Sequence, residues 1–385
     1  MGMARRSTAR LGGWLALAAV MAAALTVTAY ALTRSSERPP KRPLAVAIHN
    51  ALTAKDVSGV RAQFTISQHL IPGASSLLDG ALLGGAHGTI WASGDRVRLV
   101  VRSQLGRVEA GFDGRAVTLY APNRHAAYRV AVPHHGGDTA SRNHGSPPSL
   151  ADIRRTLSEL GRTLDISGAV PGNVAGRPAY TVRISARHDS GLIGPLALAW
   201  DAAHGTPLRV ALYPRGASQP AIELQVTHIR YGKLAAGDTA VRMPAGTHVT
   251  AVELPTRAEL RHAVDNARSD GHSSAAPPSA AAPATAAGLP RTVARSFSRS
   301  GARGLLAVYG RGLGSVVVIE RQASGEAAAR SDGSLFPSIR INGARGSQLV
   351  TTLGTIVSFR RGGTEFVVLG ARQPSTIIAV ARALS

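Results

Sequence analysis

GFDGRAVTLYAPNRHAAYRVAV, residues 111–132, reads as strands set around turns. Asp113-Gly114 marks a turn, because Gly takes positive φ freely and Asp bonds to nearby backbone. A strand then ends at Tyr120, a short polar loop follows, and another strand runs over residues 128–132. Working outward, the same alternation recurs. Val60, Ala62, Phe64 and Ile66 alternate with Arg61, Gln63, Thr65 and Ser67, which is the period of a half-buried strand. Val97, Leu99 and Val101 repeat it, as do Val108, Ala110 and Phe112, and later Tyr180, Val182 and Ile184. Further sets are Leu196, Leu198 and Trp200; Leu208, Val210 and Leu212; and Ile222, Leu224 and Val226. Within this stretch, helical spacing falls at residues 44–55, with Leu44, Ile48 and Leu52, and at residues 150–164, with Ile153, Leu157, Leu160 and Leu164. Roughly ten antiparallel strands with two or three helices predict an α+β layer plan, a strongly curved sheet wrapped around helices.

Composition narrows the chemistry. The chain has 385 residues, 44% apolar and 4% aromatic, so core bulk comes mainly from Leu, Val and Ile. Cysteine is absent, which excludes disulfides, thiol nucleophiles, lipid-modified cysteine and thiolate metal sites. The formal charge is +22, carried almost wholly by arginine, since Lys41, Lys55 and Lys233 are the only lysines. Such a charge suits nucleic acid or an anionic membrane. Here the arginines alternate with apolar residues (Arg96, Arg98, Arg102) and form no basic block with aromatics, so nucleic acid is not an expected partner.

Arg5, Arg6 and Arg10 precede an uncharged run over residues 11–33, and Ala29-Tyr30-Ala31 has the form of a signal-peptidase site. The run is also long enough to span a bilayer as an anchor. Residues 1–33 are therefore a signal peptide or N-terminal anchor, and either places the remainder outside the cytoplasmic membrane. Residues 34–43 form a tether, 44–255 the strand-rich domain, and 256–291 a low-complexity, proline-bearing linker. A small β-rich domain follows over 292–385, closed by a helix over residues 374–384.

The residues resemble a known family. VRAQFTI (60–66), GTIWASGDRVRLVV (88–101), F-D-G with Tyr120 downstream, NVAGRPAYTVRI (173–184), WDAAHGTPLRVALY (200–213) and VRMPAGTHV (241–249) run in the order seen in LolA-type lipoprotein carriers and in the large domain of RseB/MucB. VYGRGLGSVVVIE (308–320) and FVVLGARQPSTIIAVARAL (366–384) resemble the small C-terminal domain of RseB. The resemblance implies an unclosed antiparallel half-barrel with helices plugging its mouth. It implies binding of the acyl chain of a lipid or lipoprotein, as a carrier or as a sensor that contacts a membrane anti-sigma factor. The alternative is a regulator of that factor acting through protein–protein contacts without lipid cargo. It transfers no functional residue, because the ligand contacts of the family are generic apolar positions.

The candidate hydrophobic cavity is lined by Phe64, Ile66, Trp91, Leu99, Phe112, Leu119, Val182, Leu198, Trp200, Leu212 and Leu224. The alternative is that these residues pack on the helices as core. The segment 69–85, HLIPGASSLLDGALLGG, is too apolar for an ordinary hairpin connection. Leu70, Ile71, Leu77, Leu78, Leu82 and Leu83 make it a lid, an exposed contact patch or a small capping helix. His125, His134, His135 and His144 lack ligand spacing, so no metal is expected. Gly310, Gly312 and Gly314 precede a strand, which excludes a dinucleotide loop, and no cofactor is expected. Glu109, Asp113, Asp189, Asp201 and Glu223 fall at turns or outward strand positions, so no carboxylate pair or other catalytic set is visible.

Overall fold

The computed structural model describes residues 38–71, 85–104, 106–132, 147–188, 191–235, 237–252, 282–299, 302–322 and 336–384. One thirteen-stranded sheet comprises β1 (Val60–Gln68), β2 (Ala86–Ser93), β3 (Arg96–Ser103), β4 (Gly106–Asp113), β5 (Ala116–Ala121), β6 (Ala126–Ala131) and β7 (Leu164–Ile166). It continues with β8 (Val170–Val174), β9 (Arg177–Ala186), β10 (Ile193–Asp201), β11 (Pro207–Pro214), β12 (Ile222–Tyr231) and β13 (His248–Val252). The spatial order is β13-β6-β5-β4-β3-β2-β1-β12-β11-β10-β9-β7, with β8 also paired to β9. The α+β expectation holds, and the strands beyond ten include the short β7, β8 and β13. One pair departs from the antiparallel expectation: β13 lies parallel to β6. The chain reaches that edge from β12 by crossing the sheet, and such a crossover brings the strand in parallel.

Local chemistry sets the register. At the opening motif, Asp113 Oδ1 accepts from the amides of Arg115 (2.9 Å) and Ala116 (2.8 Å), and Gly114 takes φ +88°. Those backbone bonds, the Ala116 amide foremost, hold the Asp113 carboxyl at about 2. The turn places Phe112 opposite Val117, so both stay on one face. Next, the polar loop closes with His125 in the left-handed region at φ 48°.

Helix α1 (Leu44–Leu52) and helix α2 (Leu150–Leu160) stop short of the expected limits of 55 and 164. Leu164 instead opens β7. Ser149 caps α2, accepting from the Asp152 amide at 3.2 Å and donating to its carboxylate at 2.6 Å.

A second, eight-stranded sheet has the order β14-β15-β16-β17-β21-β20-β19-β18. Its strands are β14 (Thr285–Ala286), β15 (Leu289–Arg299), β16 (Ala302–Tyr309), β17 (Val316–Gln322), β18 (Ser338–Ile341), β19 (Ala344–Thr351), β20 (Gly354–Arg361) and β21 (Thr364–Gly370). Helix α3 (Pro374–Ala383) buries Ile377, Val380 and Ala381 in a core with Tyr309, Val316, Val357 and Val368. This unit starts inside the expected linker. Ala282 and Ala286 are buried in the same core, and Tyr309 Oη donates to Pro283 O at 3.0 Å. Small alanines fit beside the Tyr309 ring, which is why an alanine- and proline-rich stretch contributes to packing here.

The β10–β11 turn contains the tightest backbone approach to α1. Gly205 sits at φ +67°, and a Cβ there would lie 2.5 Å from Ala51 O. Gly216 has φ +74° with nothing within 4 Å of a Cβ. Gly216→Ala is expected to cost about 1 kcal/mol for the left-handed backbone alone. Gly205→Ala adds a clash of about 1–3 kcal/mol, at roughly 2–4 °C of Tm per kcal/mol. Thermal denaturation of the two variants measures the difference, and equal losses would refute the packing of α1 on this turn.

Candidate functional site

The period of two gives the large sheet two faces, and the pairing register follows each across the strands. On one face Phe64 lies opposite Val226 and Gly88, Leu99 opposite Ile90 and Ala110, and Leu119 opposite Ala110 and Tyr128. At the other end of the same face, Leu212 pairs with Leu196 and Ile222, and Leu198 with Val182 and Val210. This is the concave face, because α1 lies on it: Ala47, with Leu44 and Ala51, packs against Tyr180, Val182 and Trp200.

The two ends of that face differ. Under α1, Val182 and Trp200 are buried, and the helix fills the space. Over β3 to β6, Val97, Leu99, Val101, Val108, Phe112, Val117, Tyr128 and Val130 are half-buried, while Leu119 is buried. Among the described residues, α1 and α2 are the helices of this unit, and the packing seen for α1 is with β9 and β10. Among the described residues, this leaves an apolar stretch of the concave face that α1 does not reach.

Of the sequence-derived cavity residues, Phe64, Ile66, Leu99, Phe112, Leu119, Val182, Leu198, Trp200, Leu212 and Leu224 share the concave face. Val182 and Trp200 pack beneath α1 as core, with Leu198 against them. Phe64 is 2% exposed, its ring lying over Gly88. Leu119 is buried, and Ile66, Leu99, Phe112, Leu212 and Leu224 are half-buried. Trp91 is the correction. It pairs with Arg61 and Arg98 on the convex face, with the Arg98 guanidinium 4.9 Å and that of Arg61 5.7 Å from its ring centroid. Its odd number in a strand whose inward residues are Gly88 and Ile90 puts it there, and cation–π contact offsets its exposure. Of the apolar loop, Leu70 and Ile71 are half-buried, while Leu77, Leu78, Leu82 and Leu83 lie outside the described residues. His134, His135 and His144 also lie outside them, and no metal-binding cluster is present among the described residues.

Two buried polar groups went unread in the sequence. On the convex face Glu109 is 1% exposed, held by Arg98 Nε (3.1 Å) and Nη2 (3.0 Å) on one oxygen and by Arg107 on the other. It points outward as expected, yet it is covered. At the end of the sheet, Asp201 is fully buried and accepts from Arg177 Nε (2.8 Å), Tyr231 Oη (2.8 Å) and the Ala203 amide (2.9 Å). His204 Nδ1 lies 3.0 Å from Asp201, and its ring stacks on Tyr231 with centroids 3.9 Å apart. The D-x-x-H spacing in a turn signals such a knot. Burial alone would push the Asp201 carboxyl up, but hydrogen bonds from His204 and Arg177 prevail and hold it at about 2. Burial and the neighbouring Asp201 charge push the Tyr231 phenol up. Because Asp201 and His204 are both sealed from solvent, this acid–imidazole pair braces the fold.

Fold and apolar stretch define a class: a two-sheet α+β chain whose half-barrel presents an apolar concave face. No family model matches the chain, and no curated protein matches it. Among solved structures it is similar to MucB in complex with MucA(peri), at 20% identity and TM-score 0.41, over 88% of this chain and 95% of that one. It is also similar to the Pseudomonas aeruginosa MucA/MucB complex, at 18% identity and TM-score 0.41, over 88% and 94%. A putative outer membrane lipoprotein-sorting protein domain from Vibrio parahaemolyticus shares 12% identity at TM-score 0.24, over 51% of this chain and 96% of that one. At these identities the likeness is one of fold alone.

A carboxyl held low when folded stabilises the fold above its unfolded value of 3.8 and loses that contribution as pH falls through about 2. Wild type is therefore expected to lose about 2 kcal/mol more than Asp201→Asn between pH 5 and pH 2. Denaturant titrations across that range test it. Parallel profiles for the two proteins would show that the Asp201 charge does not brace the turn.

Proposed function

We propose that this chain is a non-catalytic, extracytoplasmic binding protein whose concave trough holds the acyl chain of a lipid or lipoprotein. The observation that carries this reading is the half-buried apolar stripe over β3 to β6 that α1 does not reach, on the same face that α1 fills at the other end. An acyl chain laid along it gains about 0.8 kcal/mol per buried CH₂, so useful affinity needs no polar contact. The apolar loop that continues from Leu70 and Ile71 is the lid in this proposal. The location follows from the basic, then apolar, N-terminal run; that run lies outside the described residues, among which no helix is long and apolar enough to cross a membrane.

A sensor reading has its own observation. The second sheet touches the base of that loop: the Thr352 amide donates to Leu70 O at 2.7 Å and its hydroxyl to His69 O at 3.1 Å. Nearby the Leu192 amide donates to Ala371 O at 2.7 Å. A ligand that shifts the loop would be felt by the C-terminal unit, as a regulator of a membrane anti-sigma factor requires.

A fluorescent fatty acid titrated into the protein tests the trough. Leu99→Gln and Phe112→Gln are expected to weaken binding at least about tenfold, and Trp91→Gln on the other face to leave it unchanged. Absence of saturable binding, or equal affinities in all variants, would refute it. Thr352→Pro removes both donors to the loop and alters fatty-acid affinity under the sensor reading but not under the carrier reading.

A further inference from the structure

The convex face carries a hollow that the acyl-binding reading does not use. After β12 the chain crosses the outside of the sheet, and Val241 seats against β4 at Gly111, where any side chain would collide with it. Between this crossing segment and the sheet lies a cavity of about 480 Å³. Its charged lining is Arg98, Arg107 and Arg242 against the single carboxylate of Glu109, with Tyr120 and Pro244 as apolar walls.

The charges do not balance within it. Glu109 is engaged by Arg98 on one oxygen and by Arg107 on the other, so its single negative charge is already shared between two guanidiniums. Three guanidiniums against one carboxylate leave an excess of about two positive charges. Each guanidinium carries five N–H donors in a fixed fork suited to oxyanions. Arg98 uses its Nε and Nη2 on Glu109, and Arg107 its Nη2, which leaves donors on both, besides all those of Arg242. Arg98 is 6% exposed and held between Trp91 and Glu109, so its remaining donors are fixed in place. The volume lies within the range of small-molecule sites and exceeds what a bare ion fills.

We propose that this cavity is a binding site for a phosphate ester, its phosphoryl oxygens taken by Arg98, Arg107 and Arg242 and its organic portion set against Tyr120 and Pro244. The excess of about two positive charges matches a phosphate group, which carries roughly −1.5 to −2 near neutral pH as a monoester. A phospholipid headgroup shares the phosphoryl oxygens but, as a diester, carries a single negative charge and would match only part of the excess. Occupancy would tie the crossing segment to the sheet through Arg242. The site stands on the face opposite the trough, so its failure leaves the acyl-chain reading untouched.

Calorimetric titration of the full chain with glycerol 3-phosphate, and sedimentation with phosphatidylglycerol vesicles against phosphatidylcholine vesicles, test the site in two arms. Arg107→Ala and Arg242→Ala remove exposed side chains, and Arg96→Ala removes an exposed arginine outside the cavity. Saturable glycerol 3-phosphate binding, weakened at least about tenfold by Arg107→Ala and Arg242→Ala and by less than about twofold by Arg96→Ala, is the expected result. Binding of phosphatidylglycerol vesicles alone, with the same ranking of variants, sustains the site and assigns it to a headgroup. No binding in either arm, or a loss in Arg96→Ala equal to that in Arg242→Ala, overturns it. Melting temperatures of the variants, expected within a few degrees of wild type, separate lost binding from lost folding.

Discussion

A wide sheet has two faces to hide, and this chain has little with which to hide them. Thirteen strands alternate inward and outward residues, and both sets contain groups that water should not reach. Among the described residues, α1 covers the concave face at β9 and β10, and the segment after β12 crosses the convex face at β4. Everything else in the large unit follows from how those covers are shared out. Where α1 sits, the concave face is ordinary core. Away from it, the face is a half-buried apolar stretch that α1 does not reach. Aromatics at 4% of the chain cannot fill so wide a surface from the sheet side.

The convex face meets the same constraint with charge. Arg98 and Glu109 lie opposite the apolar face, buried by their own pairing in the wall of the hollow beneath the crossing segment. Removing either partner would strand a buried charge, a cost of roughly 3–5 kcal/mol in comparable pairs. The Asp201–Arg177–Tyr231–His204 knot does similar work at the sheet's end, where Gly205 lets α1 approach. Polar groups thus fix the edges and back of the half-barrel, and its front stays apolar and partly uncovered.

Much of this was legible in the sequence, because a period of two is hard to mistake. The runs around Val60, Leu99, Val182 and Leu224 gave strands and faces together, and Asp113-Gly114 gave a register. Trp91 misled because size suggested burial, whereas its odd position between Ile90 and Ala92 decided its face. Residues 282–289 misled in the opposite way, since alanines that look like linker can be packing partners when a tyrosine lies beside them. Glu109 and Asp201 stand at outward and turn positions as their places in the sequence imply, but the sequence shows neither the crossing segment nor the cross-strand arginines that cover them. Whether an apolar face is filled or open was not legible either. That depends on where α1 lands, a long-range property of the fold.

Native mass spectrometry, with organic extraction, of protein purified from a membrane-containing host tests the open trough most directly. A single co-purified lipid per chain, released by the organic solvent, is the predicted result. A bare protein mass that takes up no lipid on incubation would contradict it, and would mean that the concave face is packed throughout as core.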